Sequence, residues 1–406
     1  MRTSTRTAAV CAVVCLNATA AAAQGGPMTL EDVLARAREQ SPQIVSARLA
    51  LDEARARLAG ASIRYQANPQ LDVAVGNRNG PDTRFIDFEL GVGQVFEPGS
   101  RRSARIAGAN AAIAQSAATV EVVTRMVLRD AAAAYYRVLH AAERIRLLNG
   151  SYELASSVHS IADRRFKAGD IAVLDVNLAR ASLARVRAER EQAEASRALA
   201  LGELRQLLRL DSDVSVSGAL RTPAPADVSA ALQSSAQRPE LRALEAGIQE
   251  ADAELQLGTS LSKPEYGLGV RYSREGSDHI VLGGLTLTLP MFSKGQEQRA
   301  SGSARAARLR AELDATRVRI QAEVRAAFEA YSRHLAAVQV LEADAIRDLD
   351  ENERLTTRSF DVGQLGLPDL LLIRREILDT RFQYLDALLE AAMARTDLDA
   401  SAGILR

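Results

Sequence analysis

The stretch Arg165-Phe166-Lys167-Ala168-Gly169-Asp170-Ile171-Ala172-Val173-Leu174-Asp175 has an echo, Ser359-Phe360-Asp361-Val362-Gly363-Gln364-Leu365-Gly366-Leu367-Pro368-Asp369. Both read Phe-x-x-Gly-x-x-x-x-x-Asp, 194 positions apart, and both interrupt a long helical pattern rich in Ala and Leu. A Gly at such a point ends a helix with positive φ. A Pro or Asp shortly afterwards opens the next helix, at its first position or in its first turn. Each copy therefore predicts the tip of a helical hairpin. A repeat at about half the chain length is a tandem duplication, so every element on one side requires a counterpart on the other.

The counterparts are present. From Thr29 to about Gln66 the pattern is helical, opened by a capping-box-like Thr29/Asp32 and broken at Ser41-Pro42. Gln70 to Gly76 then alternates, with Leu71, Val73 and Val75 on one side. After a polar turn, a second run sets Ile86, Phe88, Leu90 and Val92 opposite Asp87, Glu89, Gly91 and Gly93. This is a β-hairpin over 70–96 with one apolar face. A helical period follows for more than 100 residues, broken only at Gly169. In the second half Arg238-Pro239 answers Ser41-Pro42, and a hairpin over 265–290 carries Tyr266, Leu268, Val270 and Tyr272. One long helix, the Gly363 tip and a last helix complete it, and Tyr331-Ser332-Arg333 answers Tyr135-Tyr136-Arg137. The predicted organisation is a signal peptide (1–23), a first repeat (24–210, tip near 166–175), a linker rich in Ser, Pro and Ala (211–235) and a second repeat (236–406, tip near 360–369).

The signal peptide is read from Arg2 and Arg6, the apolar run Ala8 to Leu16 and the cleavage-like Ala21-Ala22-Ala23. Both cysteines, Cys11 and Cys15, fall inside it, so the mature chain is expected to lack thiol chemistry; lipidation is the weaker reading. Without Arg2 and Arg6, 49 basic residues face 51 acidic ones. The arginines alternate with acids along helix faces, which does not suit nucleic acid. No apolar stretch after the signal is long enough to predict a transmembrane helix, so the membrane question rests on the strands.

Four strands of this length suit a tilted crossing of an outer membrane, yet four cannot close a barrel. Open strand edges are not tolerated in hydrocarbon, so closure requires further copies of the chain. Helical arms of about 60 residues would reach roughly 90–100 Å at 1.5 Å per residue, longer than any ordinary core. The fold class is mainly α with β: long helical hairpins forming an α-barrel, plus two β-hairpins giving four strands to a shared β-barrel.

On these residues the chain resembles the TolC-like outer-membrane efflux proteins over essentially its whole mature length. The motifs that carry the resemblance are the Ser41-Pro42 and Arg238-Pro239 helices, Asn68-Pro69 and Lys263-Pro264 before the strands, the Phe…Gly motifs after each hairpin and the two tips. The resemblance implies a homotrimer with a 12-stranded transmembrane barrel in outer-membrane lipid above a 12-helix periplasmic tunnel. It also implies a periplasmic adaptor and, through it, an inner-membrane pump as partners. Phe166, Gly169, Leu174, Asp175, Phe360, Gly363 and Asp369 are then the adaptor-docking residues of the tips. Asp369 matches a carboxylate of the family's closed entrance, whereas Leu372 and Leu365 replace its second acid and its basic gate residue. Arg374 or Arg375 would have to serve in the gate instead. The stretch Leu285-Thr286-Leu287-Thr288-Leu289-Pro290-Met291-Phe292 looks like the branch serving cobalt–zinc–cadmium or copper pumps.

No catalytic constellation emerges, and no cofactor is expected. His140, His159, His279 and His334 show no metal-site spacing, and His279 is placed at a hairpin turn facing solvent. The reading from another class is a periplasmic structural coiled-coil protein without channel activity. The two separate on the strands: the membrane reading places Ile86, Phe88, Leu90, Val92, Leu268 and Val270 against lipid.

Overall fold

The computed structural model describes residues 26–80, 84–211 and 214–405; the expected signal peptide lies outside them. The first helix, α1 (Leu30–Gln40), opens on the expected capping box. The Thr29 amide donates to Asp32 Oδ2 at 2.9 Å and the Asp32 amide to Thr29 Oγ1 at 3.3 Å. These bonds satisfy donors that a helix start leaves free. Proline starts the next helix in each half, α2 (Pro42–Ser62) and α6 (Pro239–Ser260), because the first turn has no use for the missing amide.

Each of these helices leads into a hairpin: β1 (Gln70–Asn79) and β2 (Arg84–Phe96), then β3 (Glu265–Glu275) and β4 (Asp278–Thr288). Each hairpin leads into a long helix. In the first half α3 (Gly99–Lys167) runs unbroken for 69 residues, and α4 (Val173–Leu208) returns along it. At 1.5 Å per residue α3 is about 100 Å long. In the second half α7 (Gln296–Asp344) and α8 (Leu349–Asp361) go out and α9 (Leu367–Ser401) returns. Near the sheet α3 packs on α2 and α6, and α6 on α7; toward the tips α3 packs on α4 and α9, and α8 on α9. Four helices therefore stand side by side at either level, with no single globular core. The apolar contacts fall into separate layers, such as Val158, Ala162, Val176, Ala179, Phe360 and Leu370 beside the tips.

Three features depart from the expectations. The second long helix is not continuous: it ends at Asp344, passes through a 3-10 turn (Ile346–Asp348) and restarts at Leu349. No Gly or Pro marks the break, and the restarted helix buries Leu349, Thr356 and Phe360. The expected linker ends in a helix, α5 (Val228–Ser235), capped by Asp227. Finally, one window of α3 is apolar enough by composition to cross a bilayer. That window is 28% buried within the chain.

The rest of the linker is strapped to both repeats. Tyr135 donates its hydroxyl to the Ser217 carbonyl at 2.7 Å, and its counterpart Tyr331 donates to the Ala224 carbonyl. The matched tyrosines thus hold the two ends of one crossing segment.

Candidate functional site

The four strands form one antiparallel sheet in the order β1-β2-β3-β4, so the two repeats join through β2 and β3. Directly opposed residues of such a ladder share a face. Leu71, Val73 and Val75 lie opposite Val92, Leu90 and Phe88, and Ile86 lies opposite Asn77. Val92 is opposite Val270, and Leu268 is opposite both Gln94 and Leu285. Ile86, Phe88, Leu90, Val92, Leu268 and Val270 are therefore all on one face. Most of it is open to the outside: Ile86 is 72% exposed, Val270 59% and Leu285 71%, with Phe88 half-buried. A contiguous apolar face of this extent marks contact with a membrane or another protein.

Aromatic rings sit at both ends of this face. At the helical end Phe96 meets Tyr65 edge-on at 5.4 Å and stacks on Tyr266 at 5.6 Å. At the turn end Tyr272 stacks on His279, whose Nδ1 lies 2.6 Å from the Tyr272 hydroxyl. His279 is thus a β4 residue paired with Arg274, not a turn residue. Aromatic rings beside an apolar belt are a feature of membrane barrels, and here Tyr272 is level with Leu90.

The opposite face is small and charged. Arg78 reaches Asp87 and Glu275, both at 2.9 Å, and Arg271 reaches Glu89 at 2.7 Å. Gly269 keeps the strands close there, since a Cβ would stand 3.2 Å from the Val92 carbonyl oxygen. These exposed pairs add at most about 1 kcal/mol each; their effect is to fix the charges in place facing water.

At the tips the two halves close with the same hydrogen bonds. Gly169 (φ +84°) donates to the Phe166 carbonyl at 2.9 Å and Asp170 to the Arg165 carbonyl at 2.9 Å. Gly363 (φ +77°) donates to Phe360 at 3.0 Å and Gln364 to Ser359 at 2.9 Å. This is the Schellman ending, in which glycine takes the left-handed position. Asp175 and Asp369 then sit in the first turns of α4 and α9, where the helix dipole favours a carboxylate.

The docking residues read from the sequence separate into two groups. Phe166 (43% exposed) and Leu174 (63%) stand outward, Asp369 is exposed, Asp175 is half-buried, and nothing crowds either tip glycine. Phe360 differs from the expectation of a surface contact. It is buried in the tip layer beneath the Arg165 guanidinium, 5.6 Å from the ring centre. It packs there with Val158, Ala162, Val176, Ala179 and Leu370.

The gate residues are not gathered within one chain. Arg375 pairs with Asp379 at 3.4 Å, and Asp369 forms no ion pair with it or with Arg374 among the described residues. Arg374 is half-buried; its Nη2 lies 3.4 Å from Thr357 Oγ1, and its Nε is buried without an acceptor. Burial lowers its pKa, partly countered by Glu353 and Asp361. The remaining histidines have carboxylate partners or lie apart: His140 Nε2 is 2.6 Å from Asp386 and His334 Nδ1 is 3.1 Å from Glu390. No group of three or more His, Cys, Asp or Glu able to hold a metal occurs among the described residues.

Sequence reasoning missed one buried charge cluster. Arg125 of α3 donates to the Ala400 carbonyl at 2.5 Å and to Glu240. Arg238 donates to Glu240 and Glu323, each at 2.8 Å, and to the Ser401 carbonyl at 3.2 Å. It ties the end of α9 to the start of α6. The only signal was Arg238 just before Pro239, which the repeat comparison matched to Ser41 for its position alone.

Comparison with known proteins agrees with this geometry. The cobalt-zinc-cadmium resistance protein CzcC of Cupriavidus metallidurans is 25% identical over 390 residues, covering 93% of this chain and 90% of that protein. A membrane protein of Pseudomonas aeruginosa superposes with a TM-score of 0.77 at 18% identity, covering 92% of each chain. The CmeC outer membrane channel of Campylobacter jejuni gives 0.72 at 16% identity, over 92% of this chain and 85% of that one. The sequence pattern of the outer membrane efflux proteins matches twice, over residues 33–208 and again over 231–404. With its sheet at one end of four long helical arms, this chain belongs to the outer membrane efflux protein family.

Proposed function

We propose that three copies of this chain close a 12-stranded barrel and form the passive outer conduit of a tripartite efflux system. The observation that carries the reading is the four-stranded sheet. Its outer face is apolar with aromatic rings toward both ends, and among the described residues its edge strands β1 and β4 have no further strand partner. Unpaired strand edges are not stable in hydrocarbon, whereas β4 of one copy and β1 of the next satisfy each other. The lumen is then lined by the face of Arg78, Asp87, Glu89 and Arg271, while Ile86, Phe88, Leu90, Val92, Leu268 and Val270 meet lipid. Four helices per copy give a 12-helix tube below.

The exposed tip residues Phe166, Leu174 and Asp369, set by Gly169 and Gly363, receive the helical hairpins of a periplasmic adaptor coupled to an inner-membrane pump. Asp369 and Arg374 of neighbouring copies, with Arg375 beside them, control the entrance. The likeness to CzcC favours heavy-metal cations as cargo. The test is the native mass of detergent-extracted protein from the outer-membrane fraction, followed by cobalt, zinc and cadmium susceptibility of a deletion strain. A trimer and a metal-sensitive strain are expected. A soluble monomer overturns the conduit, and unchanged metal tolerance overturns the cargo.

A further inference from the structure

The charges on the two faces of the sheet are sorted by sign. Every carboxylate in the described strands lies on the inner face, and Arg78 and Arg271 there each hold a carboxylate partner. Among the described strand residues the outer face carries no acid. It carries two arginines, Arg84 and Arg274, both exposed and neither in an ion pair among the described residues. Both stand toward the hairpin turns, Arg84 beyond Ile86 and Arg274 level with Phe88, at the turn-side margin of the apolar belt. Arg84 opens β2 opposite Asn79, and Arg274 lies between Phe88 and His279 on the neighbouring strands. All four helices join the sheet at its other end, so the turn end faces the cell exterior.

We infer that Arg84 and Arg274, with His279 beside Arg274, form a site on the outer rim for a phosphorylated lipid headgroup of the outer leaflet. The inference rests on the proposed reading that the apolar face meets lipid. A guanidinium just above an apolar belt leans toward the polar layer, where the phosphates of the leaflet lie. Arg84 is four residues along β2 from the partner of Arg274, a separation of roughly 13 Å at 3.3 Å per residue. Long side chains at that spacing suit a headgroup with two phosphates better than one with a single phosphate. His279 accepts the Tyr272 hydroxyl at Nδ1 in the tautomer that leaves Nε2–H to donate.

The test is native mass spectrometry of the detergent-extracted protein titrated with diphosphorylated lipid A, with phosphatidylethanolamine as a zwitterionic control. Wild type is expected to retain lipid A in preference to the control. Each basic side chain near an anionic lipid surface contributes about a factor of five, so Arg84→Gln/Arg274→Gln should weaken binding roughly thirtyfold. Trimers of both proteins that bind lipid A equally overturn the site and leave the barrel standing. Displacement of lipid A by excess inorganic phosphate overturns the lipid assignment in favour of a simple anion site. A wild-type protein that is monomeric in detergent overturns the barrel reading, and this inference with it.

Discussion

Val270 is the middle residue of the 11-residue strand β3, opposite Val92 on one side and Gly283 on the other. If the apolar face meets lipid, Val270 lies near the bilayer midplane, and Val270→Arg places a guanidinium there. Such a substitution costs about 2–4 kcal/mol per chain in a membrane barrel. A threefold assembly repeats that cost three times, roughly 6–12 kcal/mol per barrel, which rivals the whole stability of an ordinary domain. On a face bathed in water the same change would shift stability by no more than about 0.5 kcal/mol. The matched control is Ala74→Arg, an inner-face position opposite Glu89, where the new charge finds a partner. The assay is the amount of trimer in the outer-membrane fraction, read as the heat-sensitive oligomer band on gels. Val270→Arg should remove most of that band and Ala74→Arg should leave it. Equal trimer yields from both variants would refute the assignment of faces.

Three further outcomes follow from named contacts. Replacing both Gly169 and Gly363 by Val sets a β-branched residue at φ of +84° and +77°, a strain of about 1–3 kcal/mol at each tip; trimers should still assemble while export, read as metal tolerance of the complemented strain, falls. Removing Arg238 from its buried cluster leaves Glu240 and Glu323 poorly paired, and Arg238→Ala should cost about 3–5 kcal/mol in urea unfolding. Burial pushes the Glu240 carboxyl up, but its bonds to Arg238 and its own backbone and the Arg125 charge outweigh this and hold it below the ordinary 4.5. A depressed carboxylate stabilises the fold above its unfolded value and loses that contribution as pH falls through the folded one. The melting temperature should therefore drop below about pH 4.5 in wild type and less steeply in Arg238→Ala. Because face parity must survive between copies, a cysteine at Val75 should cross-link to one of Leu285, Leu287 or Leu289 replaced by Cys, and to neither Thr286 nor Thr288.

The repeat made most of this fold legible, since one tip motif found twice dictates two hairpins, two sheets of helices and two pairs of strands. Local chemistry then fixed the detail: Thr29/Asp32, Pro42, Pro239, Gly169 and Gly363 each specify a boundary through hydrogen bonds or backbone angle, and those boundaries stand where the sequence placed them. The alternation of β2 and β3 was equally readable, because one apolar face leaves a period of two. What could not be read depends on contacts between distant segments. The α8 break has no Gly or Pro, and beyond it Phe360 is buried against residues of α3 and α4 far along the chain. The two tips differ accordingly: Phe166 is 43% exposed, whereas Phe360 is buried in the layer beside the tips.

The same limit shows at the helical end of the sheet, and there it carries an argument about assembly. Phe96 is covered because its neighbours Tyr65 and Tyr266 come from both repeats, which meet at the β2–β3 seam. Phe292 follows β4 as Phe96 ends β2, and it is 91% exposed, with Met291 beside it at 68%. The sequence motifs are alike; the surroundings differ because β4 is the open edge of the sheet. A duplicated seam within one chain thus shows the contact that its counterpart lacks. Under the proposed closure of the barrel, the residues left bare are those that β1 of another copy would cover, and the exposed Phe292 is then half of an interface and not a flaw in the core.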